Sequence, residues 1–333
     1  MEEYPQIFRN TLKTGTVKSG EISQEELFEF CKNEKIIGGG WPLYEESGDE
    51  TNDFNADYNR ATQLRKGRGF TNCINRLEEM RPGDLVWTRC NGIYYLCPIV
   101  DSNKKIIKSS IPIWQYKSGH GQNDSNFNKY DMHLVANVAG FIKIGSAQNV
   151  PGKIISSFAS RSALQKVSDN DHLLAKWSIK ILNKKKEKGT LPYYDDGFDL
   201  ATSNEDNIFQ LLHPKDVEEV VCLYLQKELG YYVYTNTTRE DMETYECVLV
   251  KTDKDHHLAY VQVKTGGVSL NGSTPEYKEL AKDGNKVYLF TADNRFCSGA
   301  DGQDIIHIKT EEISDFIKNN RALLSEKIQV WLE

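Results

Sequence analysis

Glu246, Gln262 and Lys264 are the side chains whose types and spacing could do chemistry together. Tyr245–Val250 and Leu258–Gly266 run or alternate apolar with β-branched residues, and the polar stretch Lys251–His257 reads as the hairpin connection between them. Side chains alternate faces along a strand, so Gln262 and Lys264 share a face, and Glu246 can lie opposite them across the ladder. A carboxylate, a second oxygen ligand and an ammonium on one face can hold Mg²⁺ and orient a water beside a phosphodiester. A surface lysine on any two-stranded hairpin fits the same spacing, so the surrounding elements have to decide.

Those elements form a recognisable series. His213-Pro214-Lys215-Asp216 opens a helix whose apolar stripe is Val217, Val220, Val221, Tyr224, Leu225 and Leu229, ended by Gly230. Tyr231–Tyr234 is the next strand, followed by the polar turn Asn236–Glu243 and the two strands of the hairpin. Pro275–Ala281 reads as a helix, Lys286–Thr291 as a buried strand, Ile305–Ile308 as another, and Thr310-Glu311-Glu312 starts a final helix.

Helix, three strands, helix, strand, with E…QxK on the hairpin, resembles the core of the PD-(D/E)xK nuclease superfamily in its Mrr-like restriction endonuclease branch, where Gln often replaces the second acid. Glu246 stands where the first acid, commonly Asp, is usually found. The resemblance implies a restriction-endonuclease-like αβββαβ domain and Mg²⁺ or Mn²⁺ as the ion, consistent with hard oxygen ligands. It implies that Glu246, Gln262 and the carbonyl of Val263 bind the metal. Lys264 would lower the pKa of the attacking water or neutralise charge on the phosphate. An accessory acid on the preceding helix maps to Glu218, with Glu219 as the alternative shifted by one residue. Asp241 and Glu243 could replace Glu246 if the register differs. His256 and His257 fall at the hairpin tip and read as exposed turn residues.

The N-terminal half has another character. Ser23-Gln24-Glu25-Glu26 before Leu27, Phe28, Phe30 and Cys31 is a capping-box helix start. Lys35–Pro42 is a strand breaking into Gly38-Gly39-Gly40 with Trp41 at its exit; no Gly-Lys-Ser/Thr follows, so it is not a phosphate loop. Phe70–Met80 is a helix candidate, Arg81-Pro82-Gly83-Asp84 a turn, and Asn91-Gly92 a hairpin signal between Leu85–Thr88 and Ile93–Val100. Strand-like pieces follow at Ile111–Tyr116, His133–Val138 and Phe141–Ile144. Over roughly residues 30–165 this order resembles the EVE/PUA-like modified-base readers. That implies a curved β-barrel-like domain with flanking helices and an aromatic pocket for one unstacked base, where stacking supplies about 1–3 kcal/mol. Trp41, Trp87, Trp114 and Tyr116, with Tyr94 and Tyr95, are candidate walls, and core packing is the other reading of each. Arg65, Lys66 and Arg68, set between glycines, suit backbone phosphates, and a solvated loop fits them too.

The fold class expected is therefore α/β (α+β), with a reader domain over 1–167, a helical linker over 168–212 and a nuclease domain over 213–333. Net charge is −7 over 333 residues, unevenly spread. Residues 1–192 carry about 27 basic and 22 acidic side chains, and the remainder about 14 and 26. Affinity for nucleic acid is thus expected from the first half. Seven dispersed cysteines without a CxxC pair argue for reduced thiols and against structural zinc. The chain has no apolar run of membrane-spanning length and no signal-peptide pattern at its start, which predicts a cytoplasmic protein without a membrane partner. The combined expectation is a modification-dependent DNA endonuclease, acting as a homodimer because two strands need two sites. The alternatives are a nuclease acting on RNA and an inactive nucleic-acid-binding module.

Overall fold

The structure, a computed structural model, describes residues 4–39, 68–100, 114–116, 129–130, 132, 134–169, 172–185, 205–234, 245–252, 255–265, 268–293, 296–297 and 303–332. The chain packs as two units, residues 1–150 with 157–200 and residues 151–156 with 201–333. The stretch 168–212, expected as a linker, is divided between them. The Leu173–Lys185 helix belongs to the first unit because it buries Leu173, Leu174, Trp177, Ile179 and Leu182. Residues 201–212 belong to the second. So do 151–156, where the Gly152 N–H donates to the Leu211 carbonyl at 2.6 Å. A Cβ at Gly152 would lie 1.9 Å from the Leu212 carbonyl oxygen, so only glycine fits there.

The first unit holds β1 (Ile7–Asn10), β2 (Ile36–Gly39), β3 (Leu85–Cys90), β4 (Ile93–Pro98), β5 (Trp114–Tyr116), β6 (Leu134–Asn137), β7 (Ile142–Gly145) and β8 (Leu164–Lys166). They form a five-stranded sheet in the order β7-β4-β3-β1-β8 and a three-stranded sheet β2-β6-β5. Asn91 and Gly92 adopt φ of 49° and 74°, the left-handed turn that closes Cys90 on Ile93. The Gln24–Glu34 helix starts with the expected box, in which Ser23 Oγ accepts from Glu26 N and Glu26 Oε2 accepts from Ser23 N. The barrel-like closure expected of this unit is not present among the described residues. Both ladders are open, with edge strands β7 and β8, β2 and β5, and one bridge, Ile99 to Val138, joins them. β1, which the sequence reading did not find, lies parallel to β3 and buries Ile7, Phe8 and Arg9.

The second unit holds β9 (Tyr231–Val233), β10 (Cys247–Lys251), β11 (Leu258–Lys264), β12 (Leu270–Asn271), β13 (Lys286–Thr291), β14 (Phe296–Cys297) and β15 (Ile305–Ile308). Its main sheet runs β15-β13-β11-β10-β9, antiparallel from β9 to β11 and parallel from β11 to β15. The Pro214–Leu229 helix precedes β9 and ends at Gly230 with φ 72°. The Pro275–Leu280 helix precedes β13, so the helices and main-sheet strands follow the expected order, while β12 and β14, which pair in a two-stranded sheet of their own, are not among the expected elements. One sheet face packs Val287, Leu289 and Ile305 with Leu270 and Tyr277. Among the described residues no helix is long and apolar enough to cross a membrane.

Candidate active site

β11 places its polar side chains by simple alternation. Gln262 and Lys264 point to one face at the end where β10 begins, and Val263 between them is buried on the other. Cys247 pairs with Val261, and Glu246 sits in a bend just before β10, its N–H donating to the Val261 carbonyl at 2.7 Å. That anchor turns the carboxylate onto the Gln262 face. Glu246 Oε1 accepts from Gln262 Nε2 at 3.0 Å and from Lys264 Nζ at 2.9 Å. One oxygen therefore receives both donors.

Gln262 is 1 % exposed and its other amide atom, Oε1, is buried without a hydrogen-bond partner. Leaving such an acceptor unmade costs on the order of 1–3 kcal/mol. Thr291, the parallel neighbour of Lys264 on β13, also buries an unpartnered hydroxyl.

Helix Pro214–Leu229 brings the second acid. Burial raises the Glu218 carboxyl above its usual range, and the charge of Glu246 raises it further, against the opposing pull of Lys215 and Lys264. Glu219 is committed elsewhere: Lys327 bridges Asp216 at 2.7 Å and Glu219 at 2.9 Å. Of the two acids that the sequence offered, Glu218 is the one that senses the Glu246–Lys264 pair. Tyr277, unnoticed in the sequence, belongs to the same neighbourhood. Its phenol is pushed up by burial first and then by Glu246. Cys222 Sγ lies 2.7 Å from Cys247 Sγ, and this hydrogen bond, then burial, holds the Cys222 thiol well above its usual range.

The donor set suits a hard cation: the carboxylates of Glu246 and Glu218 and an orphaned amide oxygen on Gln262. Among the described residues there is no group of three or more His, Cys, Asp or Glu arranged around a metal position. An ion here would be held directly by Glu246 and Gln262, with Glu218 in its outer sphere and waters in its other positions, as Mg²⁺ commonly keeps. His256 and His257 lie at the far end of the hairpin, beyond the start of β11, which at 3.3 Å per residue is itself about 20 Å from Lys264. They are too distant to act as a base. Asp241 and Glu243 lie outside the described residues.

The expected base pocket is less complete. Trp87 is fully buried, and its indole N–H donates to Ser178 Oγ at 3.1 Å. This corrects its reading as a pocket wall, because strand β3 turns it into the core. Tyr94 is buried against Phe158, and Tyr95 packs on Phe28. Trp114 and Tyr116 lie on β5, paired with Ala136 and Leu134 of β6. Arg68 opens the Arg68–Glu79 helix. Trp41, Arg65 and Lys66 lie outside the described residues.

Compared with protein-family models, curated proteins and solved structures, the chain matches none of them.

Proposed function

We propose that the second unit is a Mg²⁺- or Mn²⁺-dependent phosphodiesterase of the PD-(D/E)xK kind, cutting DNA that carries a modified base recognised by the first unit. The observation that carries this reading is the shared oxygen of Glu246, which accepts from both Gln262 and Lys264 beside Glu218. Glu246, Gln262 and the carbonyl of Val263 would hold the ion, with Glu218 in its outer sphere. When bound, it would polarise the phosphodiester and lower the pKa of a water. Lys264 Nζ, released from Glu246, would offset charge developing on the phosphoryl oxygens. Glu218 in its ionised form, made more basic by burial, would take the proton of the attacking water as the new P–O bond forms, while the departing ester oxygen takes a proton from a solvent water. Cutting both strands calls for two copies, so the active form is proposed to be a homodimer.

The test is to incubate modified and unmodified DNA, and RNA of the same sequence, with the protein and Mg²⁺. The reading expects cleavage of modified DNA, lost in Lys264→Ala while binding persists. Preferential cutting of RNA would reassign the substrate. A second reading is a binding module without hydrolysis, favoured by the pairing of Lys264 with Glu246 and the lack of a third acid among the described residues. Metal-independent binding with no cleavage of any substrate would select it.

A further inference from the structure

The first unit contains a pocket of about 720 Å³, lined from three separate stretches and by Gln24 at the start of the Gln24–Glu34 helix. Thr11, Lys13 and Lys18 come from the chain after β1, Arg89 to Gly92 from the β3–β4 hairpin, and Phe158 to Ala163 from the segment before β8. Its lining carries four cations, Lys13, Lys18, Arg89 and Arg161, and no carboxylate. Two acids lie close to it: Glu25, whose carboxylate accepts from the Asn91 side-chain amide, and Glu29, which with Glu25 raises the thiol of the lining residue Cys90 after burial.

Behind this lining lies a second observation. Arg9 on β1 is fully buried, and among the described residues its guanidinium donates to neutral groups: Thr11 Oγ1 at 2.8 Å, the Ser162 carbonyl, and Gln165 Oε1 at 2.6 Å. Its buried Nε has no hydrogen-bond partner among the described residues. The Phe158 ring lies 5.6 Å from the Arg9 guanidinium carbon and 4.8 Å from that of Arg89, so two cations face one ring. Burial, and then the charge of Arg89, lower the Arg9 pKa to about 10. A buried charge without a counter-ion is costly, and buried charges in proteins are ordinarily paired. Thr11 and Ser162, both lining residues, accept from Arg9, so its charge adjoins the pocket lining with no carboxylate bonded to it among the described residues.

The chemistry favours an anion over a base. Phe158 is 5 % exposed, with both arginines and Tyr94 against it, and offers no open face for stacking. The volume is within the range that holds a molecule of nucleotide size. We infer that this pocket is a phosphate-binding site, taking a phosphate of one nucleotide between Arg89, Arg161, Lys13 and Lys18. That the phosphate comes from a nucleic-acid strand rests on the function proposed above. The alternative source is a free nucleotide.

The experiment uses the full chain in EDTA, so that binding is separated from any hydrolysis. A fluorescent unmodified oligonucleotide is titrated at several salt concentrations and competed with inorganic phosphate, a mononucleotide and poly-glutamate. Arg161→Gln and Arg89→Gln are each expected to weaken oligonucleotide binding by about 3- to 10-fold and to reduce the salt slope by about 1. Lys13→Gln, at an exposed position, is expected to act in the same direction, which guards against a folding defect in the Arg89 variant. A mononucleotide that competes as well as the strand would make the free nucleotide the source and keep the site. Unchanged affinity and slope in folded Arg161→Gln and Lys13→Gln would overturn the proposal. So would competition by poly-glutamate with none by phosphate or nucleotide. Pocket-dependent binding without cleavage under Mg²⁺ would refute the nuclease and leave this site standing.

Discussion

Glu246 Oε1 and Lys264 Nζ lie 2.9 Å apart, held at the open end of the β10–β11 hairpin with Gln262 donating to the same oxygen. The two side chains are 27 % and 35 % exposed. Ion pairs this accessible contribute about 0–1 kcal/mol to stability. The pair therefore has little structural value, and its substitution separates chemistry from folding. Lys264→Ala is expected to shift the melting temperature by a few degrees at most, since 1 kcal/mol is roughly 2–4 °C for a chain approaching this size. Cleavage should fall by at least about 100-fold, and the oligonucleotide Kd should stay within about threefold. Parallel melting, cleavage and binding curves check this. A large loss of stability would make Lys264 a structural residue.

Glu218 gives a pH signature. Its carboxyl is raised, chiefly by burial and then by Glu246, so the folded protein binds that proton more tightly than the unfolded chain does. The resulting stability is present below the ordinary carboxyl range and is lost as pH rises through the raised value. Glu218→Gln removes the loss. In EDTA the variant should be more stable than the parent at pH 7, with the gap closing towards pH 4. Cleavage should behave oppositely: the parent's activity climbs with pH as Glu218 ionises, while the variant stays low and flat. Thermal melts and pH–rate profiles measure the two. A parent whose stability relative to Glu218→Gln grows with pH contradicts the assignment.

Cys222 donates no easy nucleophile. Its thiol is kept protonated by the hydrogen bond with Cys247 and by burial, with the charges of Glu218 and Glu246 acting in the same direction. The thiolate is the reactive form, so alkylation of Cys222 in the native protein at pH 8 should be at least about tenfold slower than in the unfolded chain. Mass spectrometry of the labelled peptides reads the ratio. Equal rates would mean that the pair is open in solution.

Gly152 tests the assignment of residues 151–156 to the second unit. An added Cβ meets the backbone carbonyl of Leu212 at 1.9 Å, which only backbone movement can relieve. Gly152→Ala is expected to destabilise by on the order of 3 kcal/mol or more, read by denaturant unfolding. A change below about 0.5 kcal/mol would place this segment away from Leu212.

Legibility in the sequence followed the range of the interactions. The Gln262/Lys264 face needed only strand alternation, and the helix boundaries at Ser23 and Gly230 only local capping chemistry. Glu218 and Glu219 could not be separated by sequence, because the choice depends on Lys327, more than a hundred residues away. Trp87 illustrates a second limit: alternation says which residues share a face, and only packing says which face meets the core. Tyr277 reached the site through helix packing that no local pattern announces. The Arg9–Phe158–Arg89 stack joins three distant stretches through the parallel β1–β3 pairing, and a lone arginine on a short strand carries no signal of burial.

Whether the shared oxygen of Glu246 serves hydrolysis is decided by the cleavage of end-labelled, base-modified DNA with Mg²⁺, with EDTA, and with Glu246→Ala. Cleavage by the parent in Mg²⁺, abolished by EDTA and by the substitution in a protein that still melts cooperatively, is the expected result. Cleavage that persists in folded Glu246→Ala, or its complete absence from the folded parent on DNA and RNA alike, would contradict the proposal.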